Sequence, residues 1–314
     1  MVFYPMGFPV EIETEAQEII AAAEQAWSRY SRVSTGEPVR IRVTVSDERE
    51  TFSGAPRVEF GDAWMSIVRS AANDARADLS DGMAEIRVTR DVASDSAYFN
   101  YHFLKPLAYL LLAPRNFAFV HASCVARNGR AMMLCGDALA GKTCLAFACA
   151  RRGWTFLSGD ATHLLHDSPD FSVVGRPFSI RFRESAKGLF PELRAWPAVV
   201  RPNGKASIEV DTDRLGLKTA PQAPASHLVF LQRNAAGIAQ ISSMTADEAI
   251  QRLDHAVFFG DAPVRQRQRA TLAHFASLPA VRLTYSTLEG AEAALRELSL
   301  GVRDAADCGT SAAL

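Results

Sequence analysis

The sequence predicts an α/β protein built around a phosphate-binding loop, and three observations carry that expectation. The segment Gly136-Asp137-Ala138-Leu139-Ala140-Gly141-Lys142-Thr143 satisfies G-x-x-x-x-G-K-[ST] at all four specified positions. An apolar run, "RAMML", precedes it and a helical one, "TCLAFACARR", follows it, which is the strand–loop–helix setting such a loop requires. Around this core, alternating strand patterns are interleaved with helical ones.

The elements follow in chain order. Residues 12 to about 30, "IETEAQEIIAAAEQAWSRY", repeat apolar positions at helical spacing behind acids that suit a helix N-terminus. "VRIRVTVS" (39–46), "AWMSIVR" (63–69) and "AEIRVTR" (84–90) alternate strictly, the signature of half-buried antiparallel strands. Residues 1–95 therefore read as a small α+β unit. "SAYFNYHFLKPLAYLLLAP" (96–114) is helical and apolar. After it come two strand runs separated by Asn128-Gly129, the strongest short-range hairpin signal. With those two residues in the turn, Arg127 opposes Arg130, and counting outward His121 opposes Gly136. "WTFLSGD", "SVVGRPFSIRF", "GKASIEV" and "ASHLVFLQRN" supply further strands, and the Asn203-Gly204 step reads as a turn. From "TADEAIQRL" to "LREL" the pattern is mostly helical, and residues 303–314 look like a flexible tail behind a main domain of residues 96–302.

Composition narrows the partners. Among 314 residues, Lys+Arg 34 against Asp+Glu 35 leaves a formal charge of -1, so no global field points to nucleic acid or a membrane surface. The five cysteines form no CxxC pair and fall mostly in apolar stretches, which suits a reducing compartment. The N-terminus has no basic region and is interrupted by two prolines and three acids, so it does not read as a signal peptide, and "PLAYLLLAP" is too short to span a bilayer, so a cytoplasmic location is expected. No nucleophile elbow and no NKxD occur. His163 and His166 lie three apart without a matching cysteine or carboxylate, so no zinc site is expected. "RQRQRATLAHF" reads as an amphipathic helix for packing or an interface rather than for nucleic-acid contact.

The chemistry concentrates in the loop. Its glycines let backbone N–H groups of residues 136–143 turn inward at phosphate oxygens, and the following helix offers its positive end. Lys142 would reach the outer phosphates of a nucleotide, and Thr143 would hold Mg²⁺ through its hydroxyl. Asp160, at the C-terminal end of the next strand, can bind Mg²⁺ or accept a proton. Arg176, Arg181, Arg183 and Lys187 form a basic stretch able to hold phosphate or an acidic acceptor, or simply to face solvent.

"HASCVARNGRAMMLCGDALAGKTCLAFACARRGWTFLSGDA" resembles the core of the HPr kinase/phosphorylase-like family, and "RPFSIR" (176–181) is similar to the "RPISLK" stretch of its HPr-kinase-related branch. The resemblance covers roughly residues 95–235. It implies a PEP-carboxykinase/HPr-kinase-like P-loop core with a small N-terminal α+β unit and a helical C-terminal part. It also implies transfer of phosphoryl from ATP, with Mg²⁺, to a hydroxyl, serine above all, of a protein, peptide or small molecule, and it leaves homo-oligomer formation open. Carried over by position, Gly136, Gly141, Lys142 and Thr143 match the nucleotide loop, His121 the active-site histidine and Asp160 the second of two aspartates. Gly159 stands where the family has the first aspartate, its usual general base, and Ala138-Leu139-Ala140 replaces a Ser-Gly pair. Two interpretations follow. Either Asp160 or His121 takes the proton, or the chain is a catalytically weak nucleotide-binding or scaffold protein.

Overall fold

The computed structural model describes residues 1–50, 54–202, 204–253 and 260–301. The expected tail, Cys308, His255 and Asn203 of the expected turn lie outside the described residues. Two compact units emerge by contact: Met1–Ala118 with Ala198–Ser207 and Phe258–Arg269, and Phe119–Pro197 with Ile208–Val257 and Ala270–Leu314. Each is a mixed α/β assembly.

The first unit begins β1 (Val2–Phe3), β2 (Val10–Glu13), α1 (Gln17–Trp27) and β3 (Val39–Ser46). A meander follows of β4 (Arg57–Phe60), β5 (Trp64–Val68), β6 (Asp74–Asp78) and β7 (Met83–Thr89). These seven strands form one sheet in the order β1-β2-β3-β7-β6-β5-β4. The expected strands 39–46, 63–69 and 84–90 are present as β3, β5 and β7; β5 is antiparallel to both its neighbours and β7 to β6, as expected, but the pairing of β3 corrects the expectation. β3 runs parallel to both β2 and β7. Alternation reports a half-buried face and is blind to strand direction. The expected helix from residue 12 also starts later. Val10 and Ile12 are buried and Glu11 and Glu13 are not, so this short segment is β2, and α1 buries Ile19, Ala22, Ala23 and Trp27 beyond it. β2, α1 and β3 thus make a parallel crossover unit.

The apolar helical stretch after β7 is realised as α2 (Arg90–Ser94), α3 (Ser96–Phe99), one π-helical turn over 100–104 and α4 (Lys105–Asn116). α4 buries Leu107, Ala108, Leu111 and Leu112.

The second unit follows β8 (Phe117–Val120) with β9 (Ser123–Arg127), β10 (Arg130–Cys135), α5 (Lys142–Arg151), β11 (Thr155–Ser158), β12 (Thr162–Leu165), β13 (Ser172–Val174) and β14 (Ser179–Phe182). Beyond β15 (Ala198–Val200), which belongs to the first unit, come β16 (Ala206–Asp211), β17 (Gln222–Arg233), β18 (Gln240–Met244), α6 (Ala246–Leu253), α7 (Ala262–Ala276), β19 (Ala280–Tyr285) and α8 (Leu288–Leu300), of which the start of β16 and α7 as far as Arg269 count with the first unit. Its main sheet has the order β11-β9-β10-β17-β13-β12-β8, and β19 also pairs with β17 and carries β18. The C-terminal part is mostly helical, as expected, in α6, α7 and α8, and β19 is a strand that the expectation left out. β19 lies parallel to β17, from Leu228↔Ala280 to Arg233↔Tyr285, and its alternating "AVRLTY" was legible as a strand. Within α7, Gln268, Thr271, Leu272 and Phe275 are buried at helical spacing, as a packing helix requires.

β9 and β10 form the expected hairpin. Asn128 and Gly129 both have positive φ, 53° and 75°, the requirement of a type I′ turn. Arg127 pairs with Arg130, and the ladder runs to Ser123↔Leu134. It stops there, so His121 is not a ladder partner of Gly136, and that expectation is corrected. The chain turns at Val120–Ala122, where the Ala122 N–H donates to the Val120 carbonyl, and Gly136 leaves the strand with φ 143°.

Candidate functional site

Strand directions gather the site. β9 is antiparallel to β10 and to β11, so β10 and β11 point the same way. Their C-terminal ends, and the start of β9, therefore meet at one edge of the sheet. From that edge emerge the glycine loop after Cys135, His121 before Ser123, and Gly159-Asp160 after Ser158. Reactive groups of α/β sheets collect at such strand ends.

The loop is a tight arch between β10 and α5. The Ala140 N–H donates to the Asp137 carbonyl at 3.2 Å, and the Lys142 ammonium turns back to donate to the carbonyls of Gly136 at 2.7 Å and Asp137 at 3.0 Å. Lys142 is 6% exposed, and burial pulls its pKa below the ordinary lysine value. Gly141 opens α5 with φ 92°. Leu139, where the resembling family has a small residue, adopts φ 70° and leaves its side chain 71% exposed. A left-handed conformation costs an L-residue about 1–2 kcal/mol, so the loop keeps its shape against its own sequence.

Gly159 ties the parts together through its carbonyl, which accepts hydrogen bonds from Thr143 Oγ1 at 2.7 Å and from Ser123 Oγ. One oxygen thus fastens the first turn of α5 and the start of β9 to the end of β11. Asp160 follows, 47% exposed, with Oδ1 receiving Arg176 Nη2 at 3.0 Å. Burial pushes its carboxyl up, but Arg176, Arg181 and His121 together outweigh that and leave it below the usual carboxylate value. Arg176 is brought here just after β13, and Arg181, on β14, also pairs with Glu209 of β16 at 3.3 Å.

His121 is exposed and lines a cavity of about 610 Å³ together with Gly136, Asp137, Ala138, Phe230 and Arg252. The register that suggested its proximity ends early, yet it and the loop face the same cavity. Of the sequence-expected residues, the loop, His121, Asp160 and Arg176 converge, whereas Arg181 acts from the neighbouring strand. Two participants carried no sequence signal. Arg252 reaches the cavity from α6, and Tyr285 of β19 donates its hydroxyl to the Ala140 carbonyl at 2.6 Å.

His163 sits behind the site, fully buried, where burial and the nearby Arg176 draw its pKa down to about 3. The buried thiol of Cys135, next to the loop, is pushed up to about 12, so it packs as a small hydrophobe. Among the described residues no cluster of three or more His, Cys, Asp or Glu side chains could hold a metal by itself, and no helix is long and apolar enough to cross a membrane.

No protein-family model and no curated protein is similar to the chain. Among solved structures, the chain is similar to the Hpr(Ser) kinase/phosphatase from Coxiella burnetii. The identity is 12%, the match covers 59% of this chain and 98% of that one, and the TM-score is 0.33. The relationship is a distant structural one.

Proposed function

We propose that the chain is an ATP-dependent phosphotransferase of the HPr-kinase-related type, acting on a hydroxyl acceptor, serine foremost, in a protein, peptide or small molecule. The observation that carries this reading is the convergence at one sheet edge of the 136–143 arch, its inward-held Lys142 and the Asp160–Arg176 pair. Transfer of a phosphoryl group demands positioning and neutralisation of charge more than covalent participation by the protein. Lys142 and the loop amides would bind the nucleotide phosphates, and Arg176 would add positive charge beside them.

The residues present fit Mg²⁺. Thr143 spends its hydroxyl hydrogen on Gly159 and so keeps oxygen lone pairs for a cation, while Asp160 is held in its charged form. One carboxylate and one hydroxyl, completed by phosphate oxygens and water, are an ordinary ligand set for this ion. Bound there, the ion would screen charge on the transferring group. The same depressed pKa makes Asp160 a poor proton acceptor near neutral pH. The exposed imidazole of His121, facing the loop across the cavity, is the better-placed base.

A second reading, a nucleotide-binding or scaffold protein with weak transfer activity, is favoured by one feature: position 159 offers a backbone carbonyl and no carboxylate. Incubation with γ-labelled ATP, Mg²⁺ and a panel of acceptors that includes cell extract tests both. Label transfer by the natural chain that is lost in Lys142→Ala supports the kinase. Full transfer retained in that variant would sink it.

A further inference from the structure

Tyr285 touches the loop from a strand that sequence reasoning had read as part of a helical region. It ends β19, pairs in register with Arg233 of β17, and its side chain is 1% exposed. Its hydroxyl donates to the Ala140 carbonyl at 2.6 Å. A trans peptide unit points its C=O and N–H to opposite sides, and no described peptide bond is cis. Drawing the Ala140 oxygen toward the tyrosine therefore turns the Gly141 N–H the other way.

We propose that Tyr285 is a positioning residue of the loop: by holding the Ala140 carbonyl it aims the Gly141 amide at the phosphate that the loop binds. This rests on the reading of residues 136–143 as a phosphate cradle. Two further observations fit it. A side chain at Gly141 would overlap the Tyr285 hydroxyl, so only glycine admits so close a tether. Burial raises the phenol to about 12 against the opposing charge of the Arg233 guanidinium, which lies over the ring 6.0 Å from its centre, so the hydroxyl keeps the proton it donates across the physiological range. A tyrosine that merely filled space would need its ring and not its hydroxyl.

Tyr285→Phe removes only that hydroxyl. In calorimetric titration with inorganic tripolyphosphate and with Mg²⁺–ATP, the variant should bind both about five- to tenfold more weakly than the natural chain, the worth of one well-aligned hydrogen bond to the loop. In the transfer assay its KM for ATP should rise more than its kcat falls. Unchanged affinity in a folded variant, whatever happens to its unfolding midpoint, overturns the proposal, because a purely structural hydroxyl would move the midpoint alone. If the natural chain binds neither probe, the cradle reading fails and the role of Tyr285 fails with it. Should Tyr285→Phe not fold, amide exchange on the natural chain decides. The Gly141 N–H must become protected on addition of tripolyphosphate, and an unchanged rate overturns the assignment.

Discussion

Thr143 Oγ1 donates to the carbonyl oxygen of Gly159 at 2.7 Å, so the first turn of α5 is fastened to a position that offers a backbone oxygen and no carboxylate. The bond leaves the threonine hydroxyl with accepting capacity only, which is what a ligand of a hard cation needs. Thr143→Ser keeps the hydroxyl and should keep most activity. Thr143→Val keeps the shape without the hydroxyl and should raise the Mg²⁺ concentration needed for half-maximal transfer by about tenfold or more, while destabilising the fold by about 1 kcal/mol. A magnesium titration of both variants, with urea unfolding alongside, checks this.

Gly159→Asp should fold. Gly159 does not have positive φ, and a Cβ there meets Phe156, Thr143 and Ile180 at 3.5–3.7 Å, ordinary contact distances. We expect turnover to change by less than about tenfold, because a loose phosphoryl-transfer transition state asks little of a base. A rise of about 10²–10⁴, measured as ADP release, would assign the natural chain to the weak-transfer reading.

Arg176 is the strongest of the cations that oppose the effect of burial on Asp160. Arg176→Met should therefore raise the Asp160 pKa relative to the natural chain, and carbon-13 NMR titration of the carboxyl would show it. Since a carboxylate with a depressed pKa stabilises the fold above its unfolded value and loses that contribution as pH falls through the folded one, the variant should also be less sensitive to acid below about pH 3.9.

His163 acts in a different range. Its Nδ1 lies 3.3 Å from the Val174 carbonyl in the neutral, buried ring. The unfolded chain binds a proton there below about pH 6.5, whereas the folded chain does so only near 3. Stability should thus be complete above that upper value and fall on acidification between the two, by at most about 1.4 kcal/mol per pH unit from this group. His163→Gln should flatten the slope between urea unfolding curves taken at pH 7 and pH 5.

Trp154 donates its indole N–H to the buried carboxylate of Glu292 at 3.0 Å. Trp154→Phe strands that carboxylate with a more distant partner, Arg152 at 3.6 Å, and should cost roughly 1–3 kcal/mol. Tripolyphosphate affinity should stay unchanged, which makes the variant a stability control for the loop variants.

The sequence made the local features legible and left the long-range ones hidden. The Asn128-Gly129 turn set the β9–β10 register because a two-residue hairpin permits only one, and the pattern over 136–143 stood out because four positions in eight are specified. Direction was hidden: β3 alternates identically whether β2 and β7 run with it or against it. So were contacts at a distance, since nothing near Tyr285 records that Ala140, 145 residues earlier, lies beneath its hydroxyl. His121 lay between these cases. Its register was extrapolated past the point where the ladder ends, and it reaches the loop across a cavity instead of across a ladder.

β17 pairs with β10 on one side, where Phe230 meets Cys135, and with β19 on the other, where Arg233 meets Tyr285. The root of the loop and the residue that tethers it are therefore rungs of the same central ladder, a few residues apart. Opening the loop at its base would mean parting β10 from β17, so the amides of those strands should exchange on the timescale of global unfolding, while the exposed crest at Asp137, Ala138 and Leu139 is free to breathe. A site mounted this way works as a fixed jig and not as a closing jaw, and a ligand entering it finds the ordering cost already met by the fold.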